Sequence, residues 1–403
     1  MTEGFDVFTF NLKSLMVRVS RRLTYTILSM SLLTVMAGAA IAPALGAIKA
    51  HFSDAPAILI QLIVSMPALF IIITNFFFHK LSSLMKTRTI AIIGLVMYVV
   101  FGSCAFFSTS IGFLLVLRAL LGISVGMIMP LSTGLLSYYY PPEAQAYLMG
   151  LSAAMNQMGG VVATLLAGLL ANVQWNYGFL VYLMGVFALI LVLIFLPNEQ
   201  LSSKGSKLTA ATLVRFHPSV IGMLLLMIIF FIYPTNFAIT ASQTTSLSPN
   251  AVTFIMVGLD VVAFFVGLGF GRLMKFFRVE MKYFAPVFFG IGYGFFSFGT
   301  GTAALLAGSI FIGIANGVGV PYLNTIASIK GGKESATTVM PMLSAALYLG
   351  QFASPLIVLP LGRFIFGSGD VQAPWKVGII FCLIFLIQVF STRHFQSLPP
   401  EKK

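Results

Sequence analysis

The sequence predicts an all-α membrane protein of twelve transmembrane helices, arranged as two parallel six-helix repeats. Three observations predict it. Apolar residues fill 59% of the 403 positions and charged residues only 8%, with a mean hydropathy of +1.00. A water-soluble domain carries roughly a quarter charged residues, so the solvent for most of this surface is lipid. Apolar runs of about 20 residues recur along the chain, each long enough to cross a bilayer as a helix. Finally, several phrases occur twice at an offset of 191 or 192 residues.

The runs lie near 23–47, 55–78, 89–108, 111–137, 144–171 and 176–196, and then near 218–241, 250–274, 283–301, 303–328, 335–364 and 373–392. A helix satisfies its own backbone in lipid, and the strand-length alternation that marks a barrel is missing. The first run is too long for a cleavable signal and has no small-residue cleavage site, so none is expected. Residues 197–217 read as a polar linker, dividing a first half (1–196) from a second (218–403).

The net charge of +13 follows the same pattern. With the N-terminus in the cytoplasm, 19 of the 23 Lys and Arg fall in cytoplasmic segments. Lys49, Arg363 and Lys376 fall on the other side, and Arg118 lies within a span. That is the positive-inside distribution, with both termini cytoplasmic, so the charge is not a nucleic-acid signal.

The repeat appears in "GISVGMIMP" (122–130) and "GIANGVGVP" (313–321), which are 191 residues apart. Glu143 of "PPEAQA" and Glu334 of "GGKESA" keep that offset, while "LSAA" recurs at 151–154 and 343–346. "HKLSSLM" (79–85) pairs with "GRLMKFF" (271–277). Two parallel six-helix repeats form a transporter architecture, with the substrate site between the halves near the midplane. Small residues at Gly122 and Gly126, and at Gly313 and Gly317, let helix backbones approach closely. Pro130 and Pro321 each remove an internal hydrogen bond. These six positions are expected to serve packing, either alone or together with gating.

No HExxH, CxxC, Walker A or GxGxxG pattern is present, the four histidines are scattered among loops, and nothing resembles an enzyme site. No cofactor or metal is expected. Cys104 and Cys382 sit in apolar runs and read as small hydrophobes.

At this point the chain resembles the major facilitator superfamily, over nearly its whole length. "LRALLGISVG" (117–126) is similar to the family's fourth-helix motif, and "WNYGF" (175–179) to the start of the sixth helix. "GAAIAPALGAIKAHF" (38–52) resembles the end of the first helix in bacterial drug–proton antiporters. The resemblance implies the major facilitator fold, alternating access, a monomer and the bacterial inner membrane. Two departures stand out. The loop "HKLSSLMKTR" has His79, Ser83 and Lys86 where the family has Gly, Asp and Gly, so the acidic member of its usual latch is missing. The fifth helix has Ala163-Thr164 and Ala167-Gly168 where exporters commonly carry Gly-Pro and Gly-Gly.

Nine of the ten acidic residues lie in loops or tails, and the tenth, Asp260, sits about ten residues into the eighth run. A charged side chain at the bilayer centre costs about 2.5–3.5 kcal/mol on insertion scales, so it is rarely idle. Asp260 is either the site that loads and unloads a coupling proton or a carboxyl satisfied by a neighbouring helix. Arg118 is either the anchor of an anionic substrate group or a structural Arg bonded to helix carbonyls. Asn75, Asn156, Gln157, Tyr233, Asn236, Asn316, Tyr322, Tyr348 and Gln351 are candidates for a cavity wall, or bond between helices. With 39 Phe and 20 Met, an apolar, adaptable cavity is expected. The reading is a secondary transporter, expected to export amphipathic small organic molecules coupled to protons, with substrate, protons and lipid as its partners. Its rivals are an importer or facilitator of a small organic anion, and a lipid-handling flippase-like protein.

Overall fold

The computed structural model describes residues 21–140, 142–199, 210–331, 339–367 and 369–392. Among these residues all regular structure is helical. The first half contains α1 (Arg21–Thr34), α2 (Met36–Ala39), α3 (Leu45–His51), α4 (Ala57–Leu84), α5 (Thr87–Cys104), α6 (Ile111–Tyr139), α7 (Pro142–Ala171) and α8 (Gly185–Phe195). The second contains α9 (Ala210–Thr244), α10 (Pro249–Phe277), α11 (Phe284–Phe298), α12 (Gly301–Gly331), α13 (Met340–Phe366) and α14 (Ala373–Ser391).

These helices make twelve crossings. Ten stretches are long and apolar enough to span a bilayer, and α1 with α2–α3, bent by 43°, makes an eleventh. One of the ten, Pro249–Phe298, runs for 50 residues. A straight helix of that length would be about 75 Å long, against a hydrocarbon core of about 30 Å. It is divided at Arg278, whose φ of 46° ends α10, and a 3₁₀ segment turns the chain into α11. An even number of crossings puts Arg21 and Ser391 at one end of the bundle, called here the termini end; His51 lies at the far end.

The first run is not one helix. Pro43 sits in a 3₁₀ turn (Ala42–Ala44) between α2 and α3, and a proline leaves the carbonyl four residues earlier without its donor. At the half boundary the helix begins earlier than expected. α9 starts at Ala210, so 210–217, read as linker, already belong to it. The rest of the linker at 200–209, and Glu334 of the second repeat phrase, lie outside the described residues.

The repeat shows in the packing. α4 pairs with α6, and α10 with α12, as counterparts; α5 with α6 and α11 with α12 form the next equivalent pair. The glycine phrases make these contacts. A Cβ on Gly122 would lie 2.4 Å from the Pro67 carbonyl oxygen, and one on Gly126 2.6 Å from Thr74 Cβ. In the second half, a Cβ on Gly313 would lie 2.8 Å from the Leu259 carbonyl oxygen, and one on Gly317 2.6 Å from that of Ala263. Each pair locks two helices of the same half. α6 and α12 continue through Pro130 and Pro321. The halves themselves meet along two seams, α4 with α13 and α7 with α10, and α3 also touches α9.

Candidate functional site

The contacts between the halves begin at the far end. A Cβ on Gly46, in α3, would lie 3.0 Å from the Ala238 carbonyl oxygen of α9. Gln61 Nε2 on α4 donates to Asn236 Oδ1 on α9 at 2.7 Å, and the Asn236 amide donates to the Ile232 carbonyl at 2.9 Å. Asn236, expected either on a cavity wall or in a bond between helices, is a buried link between the halves.

The α7–α10 seam carries three contacts in register. Asn172 Nδ2 donates to Asn250 Oδ1 at its far end. One turn deeper, Gly168 faces Thr253 so closely that a Cβ would sit 2.3 Å from Thr253 Cγ2. Another turn deeper, Thr164 Oγ1 donates to Asp260 Oδ2 at 3.2 Å. Positions 164, 168 and 172 share one face of α7 because residues four apart align on a helix. Positions 250, 253 and 260, three and then seven residues apart, also fall on one face of α10, where the last step spans two turns. Thr164 is buried and Asp260 half-buried. Among the described residues, no Lys, Arg or His lies within 4.0 Å of the Asp260 carboxylate; the one ion pair found there is Lys376–Asp370.

Arg118 is buried in the first half, at 1% exposure. Each of its three nitrogens donates to protein. Nε donates to the Ile63 carbonyl at 2.6 Å and Nη1 to the Tyr182 hydroxyl at 2.6 Å, while Nη2 donates to the Ala37 carbonyl. Pro67 has no N–H to give to Ile63, four residues before it, so Arg118 supplies the missing donor. Ala37 lies in α2, inside the broken first span, so one side chain holds the irregular backbone of two helices. The Tyr182 ring also lies 5.5 Å from the guanidinium carbon. Tyr182→Phe is expected to cost about 0.5–1.5 kcal/mol by losing this acceptor, read as a modest fall in thermal midpoint.

The other candidates are scattered. Asn156 accepts from Thr34 Oγ1 at 2.9 Å, joining α7 to α1. Tyr233 bonds Ser309 at 2.9 Å and stacks on Phe237 at 4.6 Å, inside the second half's aromatic core with Phe296. Gln351 reaches Met227 Sδ at 3.8 Å within the second half. Tyr348 crosses between halves, its hydroxyl 3.0 Å from Met129 Sδ. Tyr322 is buried toward the termini end, lining a small cavity with Lys282. Gln157 is half-buried, and Asn75 and Asn316 each hold a buried, unpartnered side-chain carbonyl. The structure therefore gathers Asp260, Asn236 and Tyr348 at contacts between the halves and assigns Arg118, Asn156, Tyr233 and Gln351 to contacts within one half. It adds Thr164, Gly168 and Asn172, and pairs Asn236 with Gln61, another polar residue of the second run. Thr164 and Gly168 stand at the fifth-helix positions where the sequence departs from the exporter pattern.

The family model described as Major Facilitator Superfamily matches residues 27–355. No curated protein sequence matches the chain. Among solved structures, a bacterial homolog of the human lysosomal transporter Spinster, in an inward-facing and occupied conformation, is 14% identical; the alignment covers 94% of this chain and 99% of that one, with a TM-score of 0.76. A D-xylose–proton symporter is 15% identical over 90% of this chain and 96% of its own, with a TM-score of 0.68. A human organic anion transporter is 16% identical over 92% of this chain and 99% of its own, also with a TM-score of 0.68.

Proposed function

The chain belongs to the Major Facilitator Superfamily, a family of membrane transporters, and we propose that it exports amphipathic small organic molecules in exchange for protons, with Asp260 as the group that carries the proton. The observation that supports this reading is the place of Asp260. It is the acid within the spans, it sits where the two halves meet, and its one hydrogen bond among the described residues comes from the opposite half. A carrier that works by alternating access changes the contacts between its halves, so a group at that boundary feels each change of state. The far end, where the halves are tied, is assigned to the outside of the cytoplasmic membrane, and the termini end to the cytoplasm, from the placement of the Lys and Arg residues.

The rival importer of an organic anion needs Arg118 as its anchor. The Arg118 donors are directed at Ile63, Tyr182 and Ala37, which favours the structural role. The polar groups left half-buried or unpartnered, Gln157, Asn75 and Asn316, are uncharged and suit a neutral or amphipathic substrate.

The test is proton movement in energised inside-out vesicles challenged with amphipathic and anionic compounds. At least one amphipathic compound is expected to collapse the pH gradient with the natural protein and not with Asp260→Asn. Equal collapse in both would remove Asp260 from the coupling. Compounds that equilibrate without moving protons would make the protein a facilitator.

A further inference from the structure

The innermost contact of the α7–α10 seam differs in kind from those above it. Asn172–Asn250 and Gly168–Thr253 involve uncharged groups, which can be sealed together in one state only. Asp260–Thr164 contains a group that exists in two charge states. A neutral carboxyl accepting one hydroxyl hydrogen bond is largely satisfied, whereas an ionised carboxylate offers about four acceptor sites and has one protein donor here. Closing the seam around the ion strips water that neither Thr164 nor a cation replaces, and uncompensated burial of charge is unfavourable.

Among the described residues the surroundings supply no other charge to offset this. On α7 the facing group is the Thr164 hydroxyl. The titratable group close to Asp260 on α9 is the Tyr233 phenol, which is bonded to Ser309. On α12, Gly313 packs against the backbone of Leu259 next to Asp260 and contributes no charge.

We infer that the α7–α10 seam is a far-end gate latched by Asp260, in which the neutral carboxyl allows Thr164 to hold the seam shut and the ionised carboxylate releases it. The inference rests on the proton-exchange reading above and specifies how the proton is linked to the gate. With the far end shut, Asp260 gives its proton to water on the termini side. The resulting carboxylate destabilises the seam, the far end opens, and Asp260 takes a proton from water on that side, which allows the seam to close. One proton moves from the far side to the termini side per cycle. Thr164 is a positioning residue: it acts by holding the carboxyl in the closed seam.

The experiment uses the full chain in lipid nanodiscs, with Cys104→Ala and Cys382→Ala, and spin labels at Thr109→Cys and Thr300→Cys. Both sites are exposed, lie between consecutive spans at the far end and occupy equivalent places in the two halves. Pulsed electron paramagnetic resonance then reads the closed and open populations against pH. The closed-to-open ratio is expected to fall by about threefold or more as pH rises through the titration of Asp260. In Asp260→Asn it should stay high and flat. Thr164→Val should lower the closed population at low pH, and Thr164→Ser should restore it. A ratio independent of pH in the parent protein, or an unchanged pH response in Asp260→Asn, would overturn the latch. A Thr164→Val profile identical to the parent would remove Thr164 from it. These distances involve no transported compound, so a pH-responsive seam without proton-coupled flux would sink the export reading and leave the latch standing.

Discussion

Replacing Arg118 with methionine is expected to lower the stability of the purified protein more than any other single substitution of a polar residue. The change leaves the Ile63 carbonyl buried without its donor and the Ala37 carbonyl with only the Tyr182 hydroxyl, at 3.3 Å. A buried acceptor deprived of its partner costs about 1–3 kcal/mol, and the weakened bonding of the Ala37 carbonyl adds to the loss at Ile63. In membranes, interhelical hydrogen bonds average only about 0.6 kcal/mol, because partners are also found in the unfolded reference state. The higher range is expected here because the Pro67 kink and the break in the first span hold these carbonyls open in the folded state. Arg118→Lys should rescue little, since one ammonium cannot reproduce a planar fork aimed at three groups. Thermal unfolding followed by size-exclusion chromatography reads the effect. Transport of anionic and neutral compounds should fall together. A normally stable Arg118→Met protein that loses anions alone would restore Arg118 as a substrate anchor.

The second large effect is expected at the repeated glycines. In Gly122→Ala and Gly317→Ala the new methyl would stand 2.4 Å and 2.6 Å from the carbonyl oxygens of Pro67 and Ala263. Backbone cannot yield as a flexible side chain does, so α4 and α6, or α10 and α12, must move apart. Overpacking of this kind costs about 1–3 kcal/mol at each site, and Leu in place of Ala should cost more. Gly134 provides the control on the same helix, because nothing lies within 4 Å of a Cβ there. Gly134→Ala is expected to be neutral or to stabilise by about 0.5–1 kcal/mol, as alanine does within a helix. Similar melting temperatures for Gly122→Ala and Gly134→Ala would show that close approach is not what these glycines provide. Because both pairs lock helices of one half, their loss is expected to loosen each half as a rigid body and to leave the α7–α10 seam contacts in place.

The spans were legible because lipid acts on every residue of a crossing helix, and a run of some 20 apolar residues leaves no other soluble arrangement. The eighth and ninth runs were separable by sequence even though the apolar stretch from Pro249 to Phe298 is continuous, because the basic residues at 272, 275, 278 and 282 mark a membrane surface. The break in the first span was less legible: Pro43 and Gly38 signal it, but the fully apolar run conceals where the helix gives way. The early start of α9 is hidden in sequence because 210–217 includes Thr212, Arg215 and His217, which composition reads as linker while a helix emerging from the bilayer tolerates them.

In the candidate site, Asp260 was legible because an acid in lipid is costly wherever it points. Thr164 was not, since a threonine in a span is ordinary and its partner lies 96 residues away. Asn236 stands out in sequence only as a polar residue within a span, with no sign that it meets Gln61 across 175 residues. Arg118 had two readings in sequence, and its contacts, 55, 64 and 81 residues distant, favour one.

By itself the sequence determined the solvent, the number of crossings, the duplication and the glycines that bind each half together. Those follow from composition and spacing, which act along the chain. Only the tertiary structure decided which polar groups bridge the halves and which fasten one half internally. A helix shows several faces at once, and the partner that meets each face is chosen by the packing of segments far apart in sequence. That packing turns the donors of Arg118 to two backbone carbonyls and the Tyr182 hydroxyl and places Asp260 where the two halves meet.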